Sequence, residues 1–236
     1  KYGRSDVLIL RHIWEHVYNQ NKFIYMLKKI IHKDSIILIE IPDCTKLIKN
    51  CDYTMVWEEH LFYYSARTFI QSLNNQKLEI LNLKRIHYPY EDIFYAIVKP
   101  SLKIKNNIKV PLLSLSTEIN RAKKYANNFL PIKNRVFNYL LDQKSKGKIA
   151  IFGTGHMCIS FLSFFNLFDI VDFVIDENTN KIGLYTPIGD KKIIGPKIMY
   201  LEDIKICLLG MNPLKHKSVI NRNIKFVKKG GKFISI

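Results

Sequence analysis

Short aliphatic runs alternate with helically spaced apolar residues along the first hundred positions of the chain. An uninterrupted aliphatic run is typical of a buried strand, and apolar residues every three or four positions indicate one face of a helix. Asn19 or Asn21 suits the start of the first helix and Ser65 that of the second, because short polar side chains accept bonds from free amides. The predicted elements are a buried strand at 6–10, a helix at 19–32, a buried strand at 35–41, a helix at 65–74 and strands at 77–86 and 92–99.

The second half of the chain begins after a polar, Lys- and Asn-rich segment at 100–110. A long helical stretch is predicted at 116–146, with a break near Pro131. Beyond it strands alternate with helices, which indicates a small parallel α/β sheet. The predicted elements are a strand at 148–152, a helix to about 165, strands at 171–175 and 204–209, a helix after Asn212-Pro213 and a strand at 232–236. We therefore predict a first α/β domain at 1–109, a helical linker at 110–147 and a second domain at 148–236. A turn at Tyr88-Pro89-Tyr90 would join the last two strands of the first domain as an antiparallel pair.

Composition indicates a globular protein, since 47% of the residues are hydrophobic and 12% are aromatic. No apolar run approaches the roughly 20 residues of a membrane span, and the first residues lack the layout of a signal peptide. These features predict a cytoplasmic protein without a membrane partner. The four cysteines show neither metal-ligand spacing nor a disulfide pattern, so we expect reduced and mostly buried thiols.

The charge balance is strongly basic, with 37 Lys and Arg against 20 Asp and Glu and a net charge of +17. Such a charge could attract nucleic acid, and binding would then weaken steeply with salt. The lysines are spread along the whole chain, however, without a dense basic block. The pattern therefore favours a phosphorylated small molecule over nucleic acid.

A glycine turn follows the strand at 148–152 and precedes a helix, as Gly153-Thr154-Gly155. Asp176, at the end of the next strand, stands where a dinucleotide-binding fold places its ribose-binding carboxylate. The third glycine position of that fingerprint is Cys158, and many such turns simply present helix amides to a phosphate. An NAD-dependent oxidoreductase and a non-catalytic nucleotide-sugar-binding module both stay open as alternatives.

Segment 11–16 directly follows the first strand and carries two histidines. Residues just past the carboxyl end of a strand face the ligand crevice of an open α/β sheet. His12 and His16 are four positions apart, so they would share one face of a helix. A metal site would need a third ligand, for which Glu59 or His60 is a candidate, but the H-E-x-x-H order is absent. We predict a substrate-facing or half-buried pair and no metal.

Segment 57–65 concentrates two carboxylates, an imidazole and several aromatic rings in a predicted loop. This suits general-base chemistry, because His titrates near neutrality and a neighbouring Glu can orient it and stabilise the imidazolium. Aromatic walls exclude water and can stack on a ring. The composition is equally compatible with a surface charge pair beside core aromatics.

Taken together, these segments resemble the sugar C-methyltransferases, which methylate a carbon beside a keto group of a dTDP-sugar. The strand at 6–10 with its continuation to His16 is similar to the family's post-strand motif. EHLFYYS at 59–65 is similar to its Glu-His-x-x-Tyr-x-Ser stretch. The glycine turn, the segment from Asp176 to Pro187 and the closing Gly-Gly-x-Phe-Ile resemble the family's C-terminal Rossmann-like domain.

The resemblance implies the second half of a Rossmann-like methyltransferase sheet, whose last strand runs antiparallel, followed by a small Rossmann-like domain. It also implies a nucleotide-sugar substrate and S-adenosylmethionine as methyl donor. The family's zinc-binding cysteine segment and the glycine-rich cofactor turn have no counterpart in this sequence. We therefore expect a C-terminal part of such an enzyme, inactive alone, with the cofactor site largely in a missing front part.

The resemblance also assigns roles to individual residues. It implies His60 as the base that removes the proton beside the ketone, with Glu59 supporting it and His16 close to the sugar. The other assigned residues are His12, Trp57, Tyr64, Gly153, Thr154, Gly155, His156, Asp176 and Lys181 for substrate binding and Arg11 for the cofactor. Trp57 stands where the family often has Tyr, and His156-Met157-Cys158 replaces small residues and Lys, so the sugar and the nucleotide stay open.

Overall fold

The computed structural model describes residues 3–88 and 91–236. Pro89 and Tyr90 of the predicted turn lie outside these ranges. The chain divides into two compact units, the first formed by Lys1–Asn50 and Glu58–Lys123 and the second by Cys51–Trp57 and Lys124–Ile236. The first unit contains a mixed sheet and the second a parallel sheet. The predicted class, Rossmann-like α/β, is thereby confirmed.

The first unit is built on a four-stranded sheet with the order β1-β2-β4-β3. Strand β1 pairs with β2 in parallel. Strand β4, the last strand of this unit along the chain, lies between β2 and β3 and is antiparallel to both. The predicted antiparallel pair is therefore confirmed. The elements are β1 (Ser5–Arg11), α1 (Gln20–Leu27), β2 (Ile31–Pro42), α2 (Thr45–Asn50), α3 (Ala66–Asn75), β3 (Leu78–Ile86) and β4 (Ile93–Pro100).

The core of the first unit lies on one face of this sheet. Side chains of a strand point alternately to its two faces, and accordingly Ile37, Ile39 and Ile41 of β2 are all completely buried. Phe69 and Leu73 of α3 belong to the same hydrophobic cluster. The buried side chains of β2 therefore form the apolar face against which α3 packs.

Both predicted helix starts in this unit are confirmed. Asn19 accepts a hydrogen bond from the amide of Lys22. Ser65 and Thr68 form a reciprocal capping box at the start of α3. These caps satisfy amides that the first helical turn leaves free.

The structure corrects two of the predicted elements in this unit. Strand β1 was predicted to be buried, but it lies at the edge of the described sheet and exposes Val7 and Ile9 by 54% and 61%. The first helix ends at Leu27, and β2 begins at Ile31, inside the predicted helix. An apolar run such as residues 30–31 satisfies helical and strand periodicity equally, so pairing with β1 decides its conformation.

The second unit is built on a five-stranded parallel sheet with the order β7-β6-β5-β8-β9. Helix α4 belongs to this unit from Lys124 onward. The two-residue strand β7 lies between the predicted strands at 171–175 and 204–209, where no element was predicted. The elements are α4 (Leu115–Lys144), β5 (Lys148–Phe152), α5 (His156–Phe165), β6 (Phe173–Ile175), β7 (Ile193–Ile194), α6 (Ile198–Leu201), β8 (Ile204–Leu209), α7 (His216–Arg222), α8 (Ile224–Lys228) and β9 (Lys232–Ser235).

Helix α4 runs through Pro131 without the predicted break. Proline removes one hydrogen bond from a helix, but Phe129, Ile132 and Val136 on either side pack against the core of the second unit. Tertiary packing therefore holds the helix together where local propensity opposes it. Among the described residues, no helix combines the length and the apolarity needed to cross a membrane.

All four cysteines are free thiols, as predicted. Cys44, Cys158 and Cys207 are buried, and Cys51 is half-buried. Burial raises the pKa of Cys158 to about 12, so this thiol stays protonated at neutral pH.

Candidate functional site

A sharp turn follows the carboxyl end of β1 in the first unit. His12 has a positive φ of 49°, which costs energy for a residue with a side chain and is often found at functional sites. Its amide donates to the carbonyl of Glu40 on the neighbouring strand. A 3-10 turn, Trp14–His16, comes next. His12 and His16 therefore do not share a helix face, in contrast to the prediction.

Trp14 anchors this turn in the core. Its side chain is completely buried, and its indole N–H donates to Ser72 Oγ at 2.9 Å. The ring meets Phe23 edge-on at 6.1 Å between centroids. Such an anchor limits the freedom of the two residues that follow it, Glu15 and His16.

Backbone hydrogen bonds attach segment 58–65 to this turn. The amides of Leu61 and Phe62 both donate to the carbonyl of Glu15, at 3.0 and 3.2 Å. His16 Nδ1 lies 2.8 Å from the carbonyl oxygen of Glu59. Because a carbonyl only accepts, His16 Nδ1 carries the proton and donates. The structure thus brings together two segments that are more than 40 positions apart in the chain.

His60 lies beside His16 in this arrangement. The two imidazole rings meet edge-on, with 4.7 Å between their centroids. The centroid of the Tyr63 ring lies 5.8 Å from that of the His60 ring. His60 is half-buried. The three residues predicted to be catalytic, His16, Glu59 and His60, are therefore neighbours. Glu59 contacts His16 through its backbone, and its side chain is exposed.

Glu15 is a member of this cluster that the sequence analysis missed. Its side chain is only 1% exposed, and Oε1 lies 3.2 Å from His12 Nδ1. The other oxygen, Oε2, is buried without a hydrogen-bond partner. Burial raises the pKa of this carboxyl. A backbone hydrogen bond and the nearby charges of His12 and His16 lower the pKa and offset part of this effect. Two features of the sequence could have indicated this role. Glu15 lies three positions after His12, and it directly follows Trp14.

Arg11 and Tyr64, the other predicted site residues of the first unit besides His12, have partners outside the cluster. Arg11 donates through Nε and Nη2 to the same oxygen of Glu40, and His12 Nε2 lies 3.2 Å from that oxygen. Tyr64 is buried in the core, where its hydroxyl accepts from Gln20 at 2.6 Å. Tyr64 therefore contributes to packing in this structure.

The glycine turn of the second unit lies between β5 and α5. Gly153 has a φ of 96°, and a Cβ there would come within 3.1 Å of the carbonyl oxygen of Gly210. Glycine is therefore required by both conformation and space. Gly155 caps α5 without a side-chain hydrogen bond, so the first amides of the helix receive no bond from a cap side chain.

Asp176, at the end of β6, ties this turn to the next loop. Its Oδ2 accepts from the amide of Thr154 at 3.1 Å and from the Thr154 hydroxyl. Its Oδ1 accepts from the amide of Asn178 at 2.9 Å, and Lys181 Nζ lies 3.7 Å from Oδ2. Both carboxylate oxygens are thus committed to the protein itself. This arrangement does not favour the NAD alternative, which uses such a carboxylate for the ribose hydroxyls.

Trp57 belongs to the second unit and stacks on His156, the first residue of α5. The two rings are 3.6 Å apart between centroids and only 4° from parallel. His156 Nε2 also lies 3.1 Å from Ser160 Oγ. Each ring therefore supplies a stacking surface for the other.

Replacing Asp176 with Ala is expected to destabilise the second unit by about 1–3 kcal/mol, because three donors lose their acceptor. Burial opposes ionisation of Asp176, but hydrogen bonds from Thr154 and Asn178 outweigh it, so its pKa is lowered. The folded state thus favours the carboxylate, and the loss should be full above the ordinary pKa and fade as pH falls below it. Urea unfolding at several pH values measures this.

The exposed neighbour Glu177 provides the matched control. It pairs with Arg222 at the surface, where ion pairs contribute little. Equal losses for Glu177→Ala and Asp176→Ala would contradict the structural role given to Asp176.

Comparison with known proteins adds one match. Residues 113–236 match the family model described as the C-methyltransferase C-terminal domain. The match covers more than half of the chain, including α4 and every strand of the parallel sheet. A comparison with curated proteins gave no match.

Proposed function

The chain belongs to the family of the C-methyltransferase C-terminal domain, and from this premise we propose the reaction that it serves. The proposed reaction transfers the methyl group of S-adenosylmethionine to a carbon beside a keto group of a nucleotide-linked sugar. The observation that carries the proposal is the cluster of His16, Glu59 and His60 at the end of β1. A phosphorylated substrate also agrees with the net charge of +17.

His60 is the base in this proposal. A C–H bond beside a ketone is weakly acidic, and a positioned imidazole can remove its proton at neutral pH. His16 donates its Nδ1 proton to the Glu59 carbonyl, which fixes its ring beside that of His60. Tyr63 provides an aromatic wall near His60. S-adenosylmethionine supplies an electrophilic methyl group, so a C–C bond forms as the methyl–sulfur bond breaks.

The second unit is proposed to bind the nucleotide part of the substrate. Helix N-termini bind phosphate through free amides and the helix dipole, and α5 begins at a glycine cap beside the turn held by Asp176. Lys181 adds a positive charge near this turn. Arg11, predicted to contact the cofactor, is engaged by Glu40, and we place no part of the cofactor site on it.

The proposal is tested with the enzyme from its native cell, methyl-labelled S-adenosylmethionine and a set of nucleotide-linked keto sugars. We expect one labelled methyl group on the product, with NMR showing a new C–C bond next to the carbonyl carbon. The matched control is the same nucleotide sugar with an alcohol in place of the ketone, which lacks the acidic C–H bond. Transfer to oxygen or nitrogen, equal transfer to the alcohol, or no transfer to any keto sugar would reject the proposal.

A further inference from the structure

Three potential metal ligands converge in the first unit. Glu15, His16 and His60 each offer one ligand atom, and these atoms all lie within 4.8 Å of one another. No second group of this kind occurs among residues 3–88 and 91–236. The three residues come from two segments, 14–16 and 58–65, which hydrogen bonds to the Glu15 carbonyl join.

The hydrogen bonding of His16 leaves one nitrogen for a metal. Its Nδ1 donates to the Glu59 carbonyl at 2.8 Å, so the lone pair of the neutral ring is on Nε2. Histidines that bind metals usually donate their other ring N–H to a carbonyl or a carboxylate, which orients the ring and strengthens the ligand. His16 already has this arrangement.

Glu15 offers the strongest indication of a missing partner. Its side chain is 1% exposed, and Oε2 is buried without a hydrogen-bond partner. A buried carboxylate oxygen without a partner is costly, and a cation would satisfy it. Oε1 lies against His12 Nδ1 at 3.2 Å, which orients the carboxyl group within the cluster.

We propose that Glu15, His16 and His60 form a binding site for a divalent transition-metal ion. Two imidazoles and one carboxylate are ligands that suit Zn²⁺, and a three-ligand set leaves a fourth position open to water. The Glu59 carbonyl contacts His16 and His12 contacts Glu15, so two of the three ligands have an outer-shell partner that orients them.

Metal binding would have a consequence for the proposed reaction. The His60 nitrogen that takes up a proton has one lone pair, which either a proton or a metal ion can use. A bound ion would therefore stop proton removal, and a chelator would restore it. This consequence rests on the proposed function, whereas the metal site itself does not.

The site is tested on the untagged 236-residue chain after removal of bound metal. Zn²⁺ is titrated in competition with a chromophoric chelator, and Co²⁺ is added separately to record the visible absorption of a four-coordinate ion. We expect one equivalent of Zn²⁺ to bind. Glu15→Gln, His16→Ala and His60→Ala should each weaken binding at least about tenfold, because each removes a ligand. His216→Ala is the control, since this histidine lies outside the cluster and contacts the Met211 carbonyl.

Metal binding by the wild-type chain and by the variants decides whether the proposed site exists. Binding that is absent in the wild-type chain, or unchanged by His60→Ala, would overturn the proposal. His60 is half-buried, so its replacement keeps the test valid even if Glu15→Gln unfolds the chain. The assay contains neither methyl donor nor sugar, so its result is independent of whether methyl transfer occurs.

Discussion

His60→Ala is expected to lower methyl transfer by about 10²–10⁴-fold, the usual contribution of a general base. The proton beside the ketone would have no positioned acceptor, while the half-buried position of the ring leaves the core unchanged. Transfer from labelled S-adenosylmethionine measures the rate in the native enzyme. Exchange of the substrate proton with deuterated water measures proton removal separately, and it should fall in parallel.

His87→Ala is the matched control for this prediction. The His87 side chain is 71% exposed and contacts Asp92, outside the cluster. The His87→Ala variant should keep the rates of methyl transfer and of proton exchange near those of the wild type. A His60→Ala enzyme that exchanges the substrate proton at the wild-type rate would contradict the assignment of the base.

Trp14→Ala is expected to destabilise the first unit by about 3–5 kcal/mol, as large-to-small changes of buried aromatic residues do. The side chain is completely buried, donates to Ser72 and packs edge-on against Phe23. Its loss leaves a cavity under the turn that carries Glu15 and His16. The change in the free energy of unfolding is measured in urea by circular dichroism.

The other tryptophan is the natural comparison. Trp57 is half-buried and stacks on His156, so Trp57→Ala should cost much less. Trp14→Phe keeps most of the buried ring and should cost less than Trp14→Ala, which keeps the series measurable if the alanine variant is unfolded. Equal losses for Trp14→Ala and Trp57→Ala would contradict the anchor role of Trp14.

Strong local patterns allowed much of the fold to be predicted. The strands at 148–152 and 204–209 and the capped helix after Ser65 have clear boundaries in the sequence, and the structure confirms them. Short or ambiguous segments were predicted less well. Helix α2 and strand β7 have only six and two residues, too few to establish a period, and β7 forms by pairing with β6.

The candidate site was partly accessible from the sequence. His16, Glu59 and His60 were identified through motifs, and the structure brings them together. Glu15 was missed, because a carboxylate beside two histidines is expected at the surface unless its burial is known. Arg11 and Tyr64 were instead predicted to bind a ligand, but their side chains bind other residues of the protein. Their residue types suited a ligand, but Glu40 and Gln20 are their partners.

The sequence by itself determined the α/β class and identified His16, Glu59 and His60, because strand and helix periods and short motifs are local properties of the chain. The tertiary structure decided which of those residues meet. Backbone bonds from Leu61 and Phe62 to Glu15 join segments far apart in the chain, and no local pattern encodes such contacts. It also decided which carboxylates are satisfied, since hydrogen bonds saturate Asp176 but leave one oxygen of Glu15 buried without a partner. Burial and pairing depend on packing from several elements at once, and for this reason they appear only in the folded chain.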